Sequence, residues 1–147
     1  MHVSSRMPGH LIRRLHQLST QVFLQRVREA GFDLTPVQFA ALDALRHSPG
    51  IDQAGLAQAI AKDRATVGAV ADRLAQKGLV TRIVSDRDKR SRELALTEAG
   101  EATVTAILPV VERLQKEILP GLDDTEYATF VALARKAVKA AQASGRE

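Results

Sequence analysis

The sequence of 147 residues contains no cysteine. Disulfides, thiolate chemistry, thiolate-bound zinc and a cysteine-based peroxide sensor are therefore excluded, which leaves a ligand, an ion or a partner as the input for any signal. Long apolar runs are missing too: Arg, Gln, Glu or Lys interrupts each stretch within a few residues, far short of the roughly 18 needed to cross a bilayer. No transmembrane helix and no membrane partner are expected. Met1 to Gly9 holds one arginine, and Ile12 is followed at once by Arg13 and Arg14. A secretory signal is not expected, and the chain reads as cytoplasmic. Catalytic signatures are equally scarce. The four histidines, His2, His10, His16 and His47, form no HxxxH pair, and neither a nucleophile elbow nor a GxxxxGK phosphate loop occurs. Neither an enzyme nor a cofactor is expected.

What is present is an uneven distribution of charge. The net charge of +4 is modest, but Lys62 to Arg92 holds nine basic and four acidic residues, a local +5 that leaves the remainder at −1. A basic excess confined to one module suits a polyanion.

Periodicity places the elements. Leu11, Leu15, Leu18 and Val22 share one helical stripe, widened by Ile12, Phe23 and Val27 and stopped by Gly31. A second helix has Thr35 as N-cap, Pro36 at its first position and Ser48-Pro49-Gly50 as its break, with Val37, Phe39, Ala40, Leu42 and Leu45 facing inward. Ile51 to Asp63 reads as a short third helix packing Leu56, Ala57 and Ile60. Ala65 to Gly78 is a fourth, with Val67, Val70, Ala71 and Leu74 on one face and a small, polar, basic opposite face. Leu79 to Val84 and Arg92 to Thr97 read as strands of a hairpin whose charged tip is Ser85 to Ser91. A long helix follows Thr97, and a final helix starts near Asp123 or Asp124 with Glu126 placed for a capping interaction, using Phe130, Leu133, Ala134, Ala137 and Val138.

The expected fold is mainly α with a small β hairpin (α+β). A winged helix-turn-helix DNA-binding domain over 35–97 is flanked by a helical dimerisation region, 10–30 and 98–142. The flanking stripes exceed what the small module could cover, which predicts a homodimer and hence a palindromic operator in double-stranded DNA. By reach, Arg64, Thr66, Val67, Gly68 and Ala69 approach base edges, with Val67 or Ala69 against a thymine methyl. Arg73 reaches a guanine or a phosphate, while Lys62 and Lys77 contact the DNA backbone. At the tip, Arg87, Lys89, Arg90 and Arg92 surround Asp86 and Asp88, and an arginine there suits a narrow minor groove.

The order DRL (Asp72 to Leu74), KGLV (Lys77 to Val80), Arg82, DKR (Asp88 to Arg90) and LTEAG (Leu96 to Gly100) resembles that of the MarR family of bacterial transcription regulators, with similarity running from about Leu11 to Ala140. The resemblance implies a homodimer with interlocked terminal helices and winged lobes, repression of target promoters, and release by a small, aromatic, anionic effector. By the same resemblance Arg90 is the wing-tip arginine, Asp88 braces it, and Arg73 is a DNA contact. Gly68 and Ala69 depart from the family, where larger side chains are common. GHLIRRLHQLS and LTPVQFAAL also resemble the branch that controls aromatic-acid catabolism, whose inducers are aromatic acids or their coenzyme A thioesters. Arg14 and His16 then become candidates to pair a carboxylate and Phe39 to contact a ring. The plainer alternative is a solvated Arg14, a His16 at a helix interface and a core Phe39. A metal-responsive regulator using His10, His16 and an aspartate, or a winged module that binds protein and no DNA, are the competing functions.

Overall fold

Several helix starts are fixed by a side chain that accepts a backbone N–H which the helix itself cannot pair. Thr35 Oγ1 accepts from the Gln38 backbone while Gln38 Oε1 accepts from the Thr35 backbone, both at 3.1 Å. Asp123 and Glu126 repeat this reciprocal box at 2.9 and 3.0 Å. Asp52 and Asp63 cap the two short helices between, accepting from Gly55 and Thr66 at 2.7 and 2.8 Å. In a computed structural model that describes residues 2–60, 62–84 and 92–145, the resulting elements are α1 (Pro8–Glu29), α2 (Pro36–His47), α3 (Gln53–Ala59), α4 (Arg64–Gln76), β1 (Val80–Val84), β2 (Arg92–Leu96), α5 (Glu98–Glu117) and α6 (Asp124–Ala143). A 3-10 turn, Val3–Arg6, precedes α1. The fold is mainly helical with one small hairpin, as expected.

The chain divides into two compact units, Phe23–Glu112 and Met1–Val22 with Arg113–Glu147. These boundaries lie inside α1 and α5. Phe23 and Val27 of α1, with Val104, Ile107 and Val111 of α5, are buried members of the first unit. Its core also takes Leu42 and Leu45 from α2, Leu56 from α3, Val67, Ala71 and Leu74 from α4, and Leu94 from β2. Ala41 of α2 is buried, whereas Val37, Phe39 and Ala40 are only half-buried.

The hairpin strands run antiparallel, with Val80 opposite Leu96 and Val84 opposite Arg92. A third segment joins them. Gly50 N–H donates to the Leu94 carbonyl at 3.1 Å and Leu94 N–H to the Ile51 carbonyl at 2.8 Å, so the residues before α3 pair with β2. Gly100 explains its own place in the LTEAG motif: a Cβ there would stand 2.1 Å from the Leu79 carbonyl oxygen. Only glycine lets the first turn of α5 lie this close to the residue before β1.

In the second unit α6 has no buried residue, and Ile12, Leu133 and Val138 are 65, 60 and 57% exposed in the single chain. Lys116 Nζ donates to Asp124 at 3.0 Å and stands 6.0 Å from the Tyr127 ring. Among the described residues no helix is long and apolar enough to cross a membrane.

Candidate nucleic-acid interface

The α4 helix combines a tight anchor with an open outer side. Asp63, which the sequence reading did not assign as a cap, sets its first turn: Oδ1 accepts from the Thr66 backbone and Oδ2 from the Thr66 hydroxyl at 2.9 Å. The Thr66 backbone bond first, then its hydroxyl, holds the Asp63 carboxyl below its usual pKa, because both stabilise the anion. Val67, Ala71 and Leu74 then fall at helical spacing into the core. Arg64, Ala65, Ala69, Asp72, Arg73 and Gln76 are exposed, while Thr66 and Gly68 are half-buried. A Cβ added at Gly68 would approach nothing nearer than Gln53 Nε2 at 3.9 Å. The fold has room for a side chain there, so the glycine is not demanded by packing.

Several expected contacts change. Val67 is 0% exposed, so it cannot touch a thymine methyl: its inward periodicity wins, and among the proposed apolar contacts Ala69 alone stays exposed. Lys77 is also withdrawn from the expected phosphate set. Its Nζ donates to the Asp33 carbonyl and lies 3.4 Å from Gln38 Oε1 and 3.5 Å from Asp33 Oδ2, with the side chain only 19% exposed. Arg82 of β1 pairs with Asp72 of α4, a bond that ties the hairpin to the helix. Lys62, Arg64, Arg73 and Arg92 remain exposed, and among the described residues none has a carboxylate partner. Arg73 Nη1 stands 3.5 Å from Gln76 Oε1. Arg87, Asp88, Lys89 and Arg90 lie outside the described residues.

Of the effector candidates, Arg14 and His16 belong to one compact unit and Phe39 to the other. Arg14 and His16 are exposed on α1, and positions two apart do not share a helix face. Phe39 is half-buried, its ring centroid 6.2 Å from that of Phe23 at 51°. It also borders an open groove of about 660 Å³ with Ala40, Asp43, Ala44, His47 and Ile60. His47 Nδ1 is 3.7 Å from the Asp43 carboxylate and 3.0 Å from its backbone oxygen. A carboxylate on the groove wall opposes an anionic guest unless a cation from elsewhere answers it. Among the described residues no group of three His, Asp or Glu is placed to hold a metal ion.

Residues 32–91, which span α2 to β1 and stop before β2, match the sequence model of the MarR family. Transcriptional regulator HosA of Escherichia coli O111:H- is 33% identical over 131 residues, covering 89% of this chain and 94% of HosA. The chain belongs to the MarR family. Two solved structures agree along nearly the whole length. BpsR of Bordetella bronchiseptica, whose DNA binding is regulated by 6-hydroxynicotinic acid, superimposes with a TM-score of 0.84 at 32% identity, covering 94% of this chain and 96% of BpsR. The PcaV regulator of Streptomyces coelicolor, solved with its natural ligand, gives 0.84 at 30% identity, with 96% and 98% covered.

As a MarR-family protein, the chain is a ligand-responsive, DNA-binding transcription regulator with a winged helix-turn-helix, and not an enzyme. The family motif acquires a physical reading in this chain. Asp72 and Arg82 are partners, Lys77 clamps the chain before α2, and Gly100 admits the Leu79 carbonyl. Much of the pattern by which the sequence is recognised thus preserves the scaffold that presents α4.

Proposed function

We propose that the protein is a homodimeric repressor that seats α4 of each protomer in successive major grooves of a palindromic operator and is released by a small aromatic acid or its coenzyme A thioester. The observation that carries the reading is the exposed outer side of α4, where Arg64 and Arg73 flank the small residues Ala65 and Ala69 beside a fully buried inner face. Small residues between two arginines let the helix backbone approach base edges while the cations reach guanine or phosphate. Support for the dimer comes from the apolar residues of α1 and α6 left exposed in one chain, Leu11, Ile12 and Leu18 with Phe130, Leu133 and Val138. Repetition about a two-fold axis calls for half-sites about 34–36 Å apart, or a multiple of it. Repression follows from occupying the promoter that polymerase needs.

The aromatic acid rests on the likeness to BpsR and its 6-hydroxynicotinic acid. Arg14 and His16, on different faces of α1, are each a candidate for the cationic or hydrogen-bonding contact, and Phe39 for the ring contact. Arg87, Lys89 and Arg90 of the expected wing tip, with Asp88 by family resemblance the bracing partner of Arg90, are candidates for the adjacent minor groove, and all four lie outside the described residues. The effector must prefer the lobe arrangement that misfits DNA, since equal affinity for both arrangements shifts nothing.

The test is a gel shift with DNA from immediately upstream of the gene, with and without a panel of aromatic acids and their thioesters. A specific complex dissolved by one compound supports the reading and names the ligand class. A specific complex that no compound dissolves removes the aromatic effector, and no specific complex at this or any selected DNA removes the operator role.

A further inference from the structure

A hydroxyl's polarity is decided by where its one hydrogen goes, and at Thr66 that destination is fixed. Thr66 Oγ1 lies 2.9 Å from Asp63 Oδ2, while the Thr66 backbone N–H donates to Asp63 Oδ1 at 2.8 Å. An ionised carboxylate accepts and never donates, so the hydrogen between the two side chains belongs to Thr66. An ordinary aspartate is already ionised in the neutral range, and these bonds lower the Asp63 pKa further. Thr66 Oγ1 therefore offers lone pairs only, in the first turn of α4.

That excludes two classes of contact. Phosphate oxygens only accept, and they are repelled by the Asp63 charge as well. The keto oxygens of guanine and thymine are likewise acceptors and find no hydrogen. On the major-groove edge the remaining partners are the exocyclic amino groups, N6 of adenine and N4 of cytosine.

We infer that Asp63 and Thr66 act together as a specificity device that makes α4 select adenine or cytosine at one position of each operator half-site. The inference rests on the operator reading above and deepens it. Arg64 and Arg73 can only donate, so in the first turn of α4 the Thr66 hydroxyl stands as an acceptor beside donors, and this pattern distinguishes base pairs where cations alone would not.

The experiment is selection from random DNA duplexes by the full-length protein, by Asp63→Asn and by Thr66→Val, with thermal unfolding recorded for each. Asparagine keeps the cap through Oδ1, but its Nδ2 donates to Thr66 Oγ1 and turns the hydroxyl hydrogen outward. The unaltered protein is expected to favour adenine or cytosine over guanine or thymine at one half-site position by about fivefold or more. Thr66→Val is expected to level that preference and Asp63→Asn to invert it toward guanine or thymine. In parallel, the unaltered protein is tested on its selected operator with that adenine replaced by purine, or that cytosine by pyrimidin-2-one, each lacking only the amino group. A loss of about fivefold supports the inference, and unchanged affinity overturns it even if a variant fails to fold. A defined operator selected identically by all three proteins overturns the polarity while leaving the DNA role intact. If the unaltered protein selects no sequence, the operator role fails and this inference fails with it.

Discussion

Replacing Gly100 by alanine reverses the usual expectation for a glycine inside a helix. On helix propensity alone the change stabilises by about 0.8–1 kcal/mol. Here the new Cβ would lie 2.1 Å from the Leu79 carbonyl oxygen, 3.1 Å from its carbon and 3.3 Å from Leu96 Cδ2, so backbone must retreat by roughly 1 Å. That carbonyl accepts from the Thr97 backbone at 3.0 Å. Thr97 Oγ1 in turn donates to the Gly78 carbonyl at 2.7 Å and accepts from Gly100 N–H at 3.0 Å. Retreat therefore strains the packing and the hydrogen bonds that join β1, β2 and α5. Overpacking costs about 1–3 kcal/mol and a weakened hydrogen bond about 1, which leaves a net loss near 2 kcal/mol after the propensity gain. For a chain of this size Tm should fall by about 4–8 °C, followed by far-UV circular dichroism at one fixed protomer concentration. Gly9→Ala is the control, since nothing lies within 4 Å of a Cβ there. A Gly100→Ala protein whose Tm equals or exceeds that of the unaltered one would refute the close approach.

The cations of the basic module should separate into two groups in operator titrations over a range of salt. Arg64→Ala is expected to reduce the slope of log K against log salt by about one for each phosphate it no longer neutralises, whereas Lys77→Met should leave the slope unchanged and lower Tm, because Lys77 holds Asp33 and Gln38. Equal slopes for Arg64→Ala and the unaltered protein would take Arg64 off the DNA. Acid should also weaken the start of α4. The folded pKa of Asp63 is depressed, so its stabilisation is fully present above the unfolded value and is lost as pH falls through the folded one. The stability gap between the unaltered protein and Asp63→Asn should shift against the aspartate as the pH drops below the ordinary aspartate range, a change readable by chemical denaturation at matched ionic strength. A gap independent of pH would show that the cap does not discriminate charge.

Element positions were legible because their signals are local. Thr35 followed by proline marks the start of α2, and Asp123 with Glu126 marks that of α6. The inner faces of α1 and α4 repeat at helical spacing, and the tip between β1 and β2 is conspicuously charged. What escaped the sequence is non-local. The pairing of Ile51 with Leu94 joins residues far apart in the chain, and nothing in the local pattern before α3 announces a strand. The unit boundaries inside α1 and α5 depend on which turns become buried. At the site, Val67 belonged both to an inward stripe and to the expected base contacts, and its complete burial decides for the first. Asp63 does carry a legible signal, since an aspartate three residues before a threonine, just ahead of an apolar stripe, has the spacing of an N-cap.

Charge density read along a chain counts residues with two different tasks. Arg82 and Lys77 contribute to the local excess of +5 in the sequence, yet one is tied to Asp72 and the other to Asp33 and Gln38. Their charge still adds to the long-range field that draws a polyanion in, because a field does not depend on which partner a cation touches. Contact is a different requirement: it needs a cation whose hydrogens are free and exposed, and among the described residues Lys62, Arg64, Arg73 and Arg92 meet it without a carboxylate partner. The scaffold pairs also restrict where α4 can go. The Asp72–Arg82 bond joins the outer side of the helix to the hairpin, and Lys77 joins its end to the segment before α2. The helix and β1 are consequently presented as one piece, so a ligand that tilts this piece moves Arg64, Thr66 and Arg73 together. On the proposed reading, release would need no remodelling of α4 itself, only a ligand-preferred tilt of this piece.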